Sequence, residues 1–360
     1  MLENIGKEEQ SDRYQRIRDQ ISGCIYGGTL GDALGYAVEF KKYSAIRKRY
    51  GAGGIQDMPL SGKKAVISDD TQMTLFTMEG MAQGYKRSVQ GASEGVEWYI
   101  YLSYLRWYQT QGVSLGFEIP DHWPSKLADV PQMNQWRAPG RTCLDALKSG
   151  RMGTIQDPIN HSKGCGGVMR TAPLGFMEAF GSPLVNGAKA AAITHGHPLG
   201  WIPAGMLSDI VYKLIYEKRR PLKETILKSL EDTIWQFRDF PEITYFDQLM
   251  KKAIALSETE GDDVKQIESI GGGWVGDEAL AIAMYCCLRY PGDMKKMLTV
   301  SVNHSGDSDS TGAIAGNILG AYTGMDGIPK DWLAQLELTD VMQNQIDELT
   351  DLIRVQAEHT

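Results

Sequence analysis

The sequence has 360 residues, 42% hydrophobic and 23% charged, which is enough chain of ordinary globular composition for one large domain or two smaller ones. A net charge of −8 argues against a general binder of nucleic acid or anionic membranes, and no stretch approaches the roughly 18 apolar residues of a membrane span. Five cysteines (Cys24, Cys143, Cys165, Cys286 and Cys287), odd in number and without CxxC spacing, predict reduced thiols and neither a disulfide frame nor a zinc site.

Residues 1–12 read as a flexible polar tail with no apolar signal-peptide run, so a cytoplasmic protein is expected. Ser11 is the expected N-cap of a first helix, in which Ile17, Ile21, Cys24 and Ile25 fall at helical spacing. This helix runs into Gly27, Gly28, Gly31 and Gly35, which let another backbone come close. "SDDTQMTLFTMEGMAQGY" places Ser68, Asp69 and Asp70 in the first turn of a second helix. The aromatic "VEWYIYLSYLRWYQTQG" is a third, closed by Gly112. From Ser114 to Arg141, Pro120, Pro124, Pro131 and Pro139 predict an irregular excursion, read as a loop over a site and not as a domain boundary. Helical patterns follow over 207–218, 223–237, 278–288 and 332–355. Alternating strand patterns are scarce and no 20–50-residue period repeats. The expectation is a single mainly helical domain over 13–360.

Two acidic clusters stand out: Asp69 with Asp70, and Asp307 with Asp309, the latter in "NHSGDSDSTGAIAGNILGAY". Acids in a first helical turn can simply complement the macrodipole. Four of them without a local Lys or Arg, each pair beside hydroxyls and opening an apolar helix, ask for more, because buried carboxylates repel unless a cation lies among them. Oxygen ligands select hard cations, and two clusters suit a two-metal site. Gly312, Ala313, Ala315, Gly316 and Gly320 would then let the two Asp-bearing helices pack with their N-termini converging. The spacing Asp307-x-Asp309-x-Thr311-Gly312 copies the start of an EF-hand loop, but Ile318 stands where the bidentate Glu is required. A phosphatase reading makes Asp307 a nucleophile after a strand "LTVSV" (298–302), yet too little chain follows for the doubly wound domain such an Asp opens.

"SKGCGGVMR" is a glycine-rich turn whose backbone N–H groups can line an anion nest; it lacks the GxxxxGK[ST] of a Walker loop. Near a metal site a diphosphate is a fitting ligand, with Lys163 adding charge and Arg170 acting as a structural salt-bridge partner. His195 and His197 form an HxH pair with no third ligand evident by spacing, so ordinary polar or core histidines compete with zinc. Trp274 is either a core residue or a stacking platform.

The stretches "GGTLGDALGYAVEF", "SDDTQMTL", "RAPGRTCLDAL", "SKGCGGVMRTAPLG", "ITHGHP", "GGGWVGDEALAIAMY" and "NHSGDSDSTGAIAGNILGAY", in this order from Gly27 to Tyr322, resemble the ADP-ribosylglycohydrolase family. The resemblance implies an all-α fold with a binuclear centre of two Mg²⁺ or Mn²⁺ ions. By motif position, Ser68, Asp69 and Asp70 supply one half, and Asp307, Asp309 and Ser310 the other, with Asp309 as the bridge. Both hydroxyl positions are commonly Thr in the family, and Ser keeps the oxygen. Glu39 matches a further acid at the metal site, and Asp69, Asp70 and Glu39 are the catalytic candidates. Lys163, Gly164, Cys165, Gly166 and Gly167 match the diphosphate-binding segment, while His195 and Trp274 match positions lining the ADP-ribose cleft. The implied activity is metal-dependent hydrolysis of the bond between ADP-ribose and a protein side chain, arginine first, with serine-linked or small-molecule conjugates as variants. An immunity protein that binds an ADP-ribosyltransferase is the competing role on the same fold.

Overall fold

The structure, a computed structural model, describes residues 2–120, 123–218 and 220–359. Among these it is built from α-helices joined by loops, 3₁₀ turns and isolated β-bridges. In chain order they are α1 (Leu2–Tyr36), α2 (Tyr43–Tyr50), α3 (Asp69–Val89), α4 (Val96–Thr110) and α5 (Arg141–Lys148). Next come α6 (Pro183–Ala192), α7 (Pro198–Tyr216), α8 (Leu222–Gln236), α9 (Ile243–Ser257) and α10 (Asp263–Ile270). The last five are α11 (Gly276–Arg289), α12 (Met294–Val302), α13 (Ser308–Thr323), α14 (Lys330–Leu333) and α15 (Thr339–His359). No helix among the described residues is long and apolar enough to cross a membrane.

The centre of the fold is the antiparallel pair α1–α13. Glycines recur every fourth residue on both helices, which is the ridge spacing of a helix surface. A Cβ placed on Gly23, Gly27 or Gly31 would stand 2.4, 2.4 or 2.0 Å from the carbonyl oxygens of Gly320, Gly316 and Gly312 respectively. Real carbon contacts lie near 3.5–4.0 Å, so only hydrogen fits between these backbones. Asn317 seals the seam by donating from Nδ2 to the Cys24 carbonyl at 2.9 Å. The small residues of α13 therefore face α1, not the other Asp-bearing helix α3 as the sequence pattern suggested. At the end of the seam, Gly35 lies against Ser308 and Asp309, where an added Cβ would be 2.5 Å from the Asp309 Cα. Residues just past α1 are thereby delivered to the first turn of α13.

Several expectations change. Ser11 lies inside α1, so it is no N-cap, and the expected division at residue 12 also falls within this helix. "LTVSV" is the end of α12 and not a strand, which removes the element the phosphatase reading required. The apolar pattern over 332–355 is broken, because Leu338 adopts φ 59° where the chain leaves a short pairing: Ala65 N–H donates to Gln335 and Glu337 N–H donates back to Ala65. Between α4 and α5 the described residues hold 3₁₀ turns at Leu127–Asp129 and Pro131–Met133, in keeping with an irregular excursion; residues 121 and 122 of it lie outside the described residues.

Candidate active site

The two acid-bearing helix starts are built locally. Ser68 caps α3, its Oγ accepting from Asp70 N–H at 3.2 Å, and places Asp69 and Asp70 in the first turn. Asp307 caps α13 by accepting from Ser310 N–H at 3.3 Å, and Asp309 Oδ1 accepts the same N–H at 3.1 Å. These acids answer otherwise unpaired N–H groups and the positive helix ends. Neighbouring elements hold them: Asp69 Oδ2 accepts from Gly140 N–H at 3.0 Å, and Asp307 N–H donates to the Gly272 carbonyl at 2.9 Å.

Glu39, two turns past the tightest glycine contact, completes the centre. One carboxylate oxygen each of Glu39, Asp307 and Asp309 lie within 4.8 Å of one another. Asp70 Oδ2 is buried without a hydrogen-bond partner. None of these acids has an ion-pair partner among the described residues. Burial first, then repulsion from neighbouring carboxylates, raises the proton affinities of Glu39, Asp69, Asp70 and Asp309. Burial with the charges of Asp307 and Asp69 pushes Glu39 up to about 9; burial pushes Asp69 up to about 8; Asp70 and Asp309 are raised well above the carboxylate range for the same reasons. An unpaired, oxygen-only donor set with an orphaned buried carboxylate oxygen fits a hard divalent cation.

One wall is the glycine loop. Gly164 bridges Val275, Cys165 N–H donates to the Trp274 carbonyl at 3.2 Å, and Gly276 N–H donates to the Lys163 carbonyl at 2.8 Å. The Cys165 thiol donates to Asp307 Oδ2 at 2.8 Å, tying the loop to the acids, while Lys163 is exposed. Trp274 is 42% exposed and stacks on Phe40 with ring centroids 5.4 Å apart and planes at 16°, so it is a surface platform and not a core residue. His195 is buried beneath the loop, 3.3 Å from where a Cβ on Gly164 or Gly166 would stand. Ser310 Oγ points toward Met169 Sδ at 3.9 Å.

Arg170 departs from expectation. It is fully buried and has no carboxylate partner among the described residues; its guanidinium lies 4.3 Å over the Tyr104 ring and bonds to sulfur and hydroxyl groups. Two residues escaped the sequence reading. Asp32, also buried, accepts from Ser68 N–H (3.0 Å), Thr71 N–H (3.1 Å) and Thr71 Oγ1 (2.5 Å), and so orders the start of α3. Glu278 accepts from Gly272 and Gly273 N–H at 2.9 and 3.2 Å, bracing the loop that bears Trp274. The related stretches Gly-Asp-Ala-Leu at 31–34 and Gly-Asp-Glu-Ala-Leu at 276–280 were the available signal for such acids at crowded helix segments.

Fold and site together define an all-α protein organised around a buried carboxylate centre suited to a hard cation and flanked by a glycine loop. The chain belongs to the ADP-ribosylglycohydrolase family, whose model matches residues 13–359. It is 26% identical over 350 residues to the ADP-ribosyl-[dinitrogen reductase] glycohydrolase of Rhodospirillum rubrum, covering 93% of this chain and 97% of that protein. It is 25% identical over 197 residues to the human ADP-ribosylhydrolase ARH3, covering 49% and 54% of the two chains. A solved structure described as an ADP-ribosylglycohydrolase-related protein complex shares the fold, with TM-score 0.64 and 21% identity over 94% of this chain and 99% of that one. Family membership supports an ADP-ribosyl hydrolase activity, in a family that generally uses divalent metals.

Proposed function

We propose that this chain is a hydrolase that removes ADP-ribose from arginine side chains of a modified protein, using two Mg²⁺ or Mn²⁺ ions. The observation that carries the proposal is the convergence of Glu39, Asp307 and Asp309, with one oxygen of each within 4.8 Å of the others and no ion pair to any of them among the described residues. Asp307, Asp309 and Ser310 would hold one side of the ion pair and Ser68, Asp69 and Asp70 the other. Fully ionised, Glu39 and the four Asp residues carry five negative charges. Two helix N-termini offset about one of them, and two divalent ions match the rest. Such ions would hold ribose hydroxyls and lower the pKa of a bound water.

The chain's own residues perform the rest. Asp69 is held at Oδ2 by Gly140 N–H, leaving its other oxygen to take a proton from the attacking water. That water bonds to the anomeric carbon as the carbon–nitrogen bond breaks through an oxocarbenium-like state, and the displaced proton returns to the guanidine nitrogen. Glu39 and Asp70 are the other acids able to orient the water or protonate the leaving group. A guanidinium leaving group suits this unpaired anionic field better than a serine hydroxyl does, because the departing group is a cation. Lys163 and the N–H groups of the glycine loop take the diphosphate, and Trp274 supplies a stacking surface.

The test is release of free ADP-ribose from an arginine-ADP-ribosylated protein with Mg²⁺, with EDTA, and with Asp309→Ala. Release abolished by both EDTA and the substitution supports the reading. Release only from a serine-linked substrate would move the specificity, and release from neither, by protein that binds Mn²⁺, would overturn the hydrolase in favour of a binding role.

A further inference from the structure

Arg170, Thr194 and His195 form a chain of polar contacts behind the glycine loop. A guanidinium has only donors, so the 2.6 Å contact from Arg170 Nη2 makes Thr194 Oγ1 an acceptor. The Thr194 hydroxyl proton then needs an acceptor of its own, and His195 Nδ1 lies 2.8 Å away. The neighbouring alternative is the sulfur of Cys143, which already receives Arg170 Nη1 at 3.2 Å and is a weak acceptor beside an imidazole lone pair. Burial, aided by the Arg170 charge, pushes His195 down to about 3, so the ring is neutral and carries a single proton. If Nδ1 accepts, that proton is on Nε2. Nε2 has no hydrogen-bond partner among the described residues, and it lies 3.3 Å from where a Cβ would stand on Gly164 and 3.5 Å from where one would stand on Gly166. The absent side chains leave it facing the loop that carries the candidate anion nest.

We infer that Arg170 and Thr194 are positioning residues that fix His195 as its Nε2–H tautomer, so that it offers a neutral donor beneath the glycine loop to an oxygen of a bound diphosphate. The ligand in this inference rests on the proposed function; the tautomer does not. The arrangement also gives the buried Arg170 a task that a salt bridge would not perform, since a carboxylate partner would take up the donor that now polarises Thr194.

The experiment uses the full chain labelled with ¹⁵N-histidine, free of metal and ligand. Ring nitrogen signals are compared for wild type, Thr194→Ser and Thr194→Val, with the His195 signals among the six histidines assigned by their loss in His195→Gln. Wild type and Thr194→Ser should show protonated Nε2 and bare Nδ1, whereas Thr194→Val, isosteric but without the hydroxyl, should show a mixture. A protonated Nδ1 in wild type, or an unchanged tautomer in Thr194→Val, would overturn the inference. Should Thr194→Val not fold, the wild-type spectrum and its match to Thr194→Ser decide. Isothermal titration with ADP-ribose then tests the ligand: Thr194→Val should bind about tenfold more weakly, equivalent to about 1.4 kcal/mol, and equal affinity would sever the tautomer from ligand binding. Absence of ADP-ribose binding by wild type would count against the proposed function while leaving the tautomer assignment to the spectra.

Discussion

Replacing Gly31 with Ala would place a methyl carbon 2.0 Å from the Gly312 oxygen and 2.2 Å from its carbonyl carbon. Relief of that overlap needs about 1.5 Å of local separation to reach an ordinary contact, and the atoms that must yield are backbone, which cannot rotate aside. Ala gains about 1 kcal/mol of helix propensity over Gly. Overpacking of a tight seam costs about 1–3 kcal/mol or more, and a contact this short belongs at the upper end, so the net effect is destabilising by about 1–2 kcal/mol. For a chain of this length a Tm lower by about 1–3 °C is expected. The displacement also reaches the acids, because Gly35, one turn on, lies against Asp309. Mn²⁺ affinity, measured by titration with paramagnetic detection of free Mn²⁺, should fall about tenfold or more. Gly292→Ala is the control: nothing lies within 4 Å of its added methyl and its φ is ordinary, so it should change stability by less than about 0.5 kcal/mol. A Gly31→Ala protein with wild-type Tm and Mn²⁺ affinity would refute the role of the glycine seam in setting the site.

Asp32→Asn keeps one acceptor oxygen where Asp32 serves two N–H groups and a hydroxyl; a loss of about 2–4 kcal/mol in denaturant titration is expected, and a change under 0.5 kcal/mol would show the bonds to be expendable. Phe40→Ala and Trp274→Ala, both at exposed rings, should raise KM for ADP-ribosylated protein with kcat nearly unchanged, and a double-mutant cycle should give about 0.5–1.5 kcal/mol of coupling; strict additivity would mean the stack does not act as a unit. In EDTA, Asp69 and Glu39 hold their protons in the folded chain up to about 8 and about 9, while the unfolded chain loses them near 4. The folded state binds more protons across that window, so stability is full below about pH 4 and declines as pH rises toward 8–9. Saturating Mg²⁺ should remove or invert this slope in denaturation midpoints compared at pH 5 and pH 8.5, and equal slopes with and without Mg²⁺ would argue that no cation neutralises the acids.

Local chemistry was readable where the residues act on their own turn. Ser68 and Asp307 sit at helix starts because their side chains answer N–H groups two or three residues on, and such caps are written in adjacent letters. Partners across long stretches of chain were not. The small face of α13 signals that some backbone comes close, but nothing in it distinguishes α1 from α3. Asp32 acts on residues 36 to 39 positions away, so it looks like any acid in a helix. "LTVSV" carries a strand-like β-branched composition, yet it ends α12, whose Val302 packs against Gly312; tertiary contact outweighs a weak local preference. The break at Leu338 likewise depends on Ala65, far upstream. Arg170 was misread as a salt-bridge partner because its actual partners, Tyr104, Met73, Cys143 and Thr194, come from four other segments of the chain.

The geometry of the α1–α13 pair also limits where the cost of gathering acids is felt. Because the helices are antiparallel, Glu39 and Asp307 meet at the Gly35–Ser308 end, and the Gly23–Gly320 contact lies at the other. Twelve residues of helix separate the two, about 18 Å, roughly twice the screening length at physiological ionic strength. Repulsion among ionised acids therefore pulls on one end of the seam while backbone contact and the Asn317 hydrogen bond hold the other. Loss of a neutralising cation should accordingly speed amide exchange in the first turn of α13 and at residues 37–40 and leave residues 316–320 protected. Uniform loosening along α13 would instead mean that the seam and the acid centre fail together, and that the glycines do not insulate the fold from the charge they bring together.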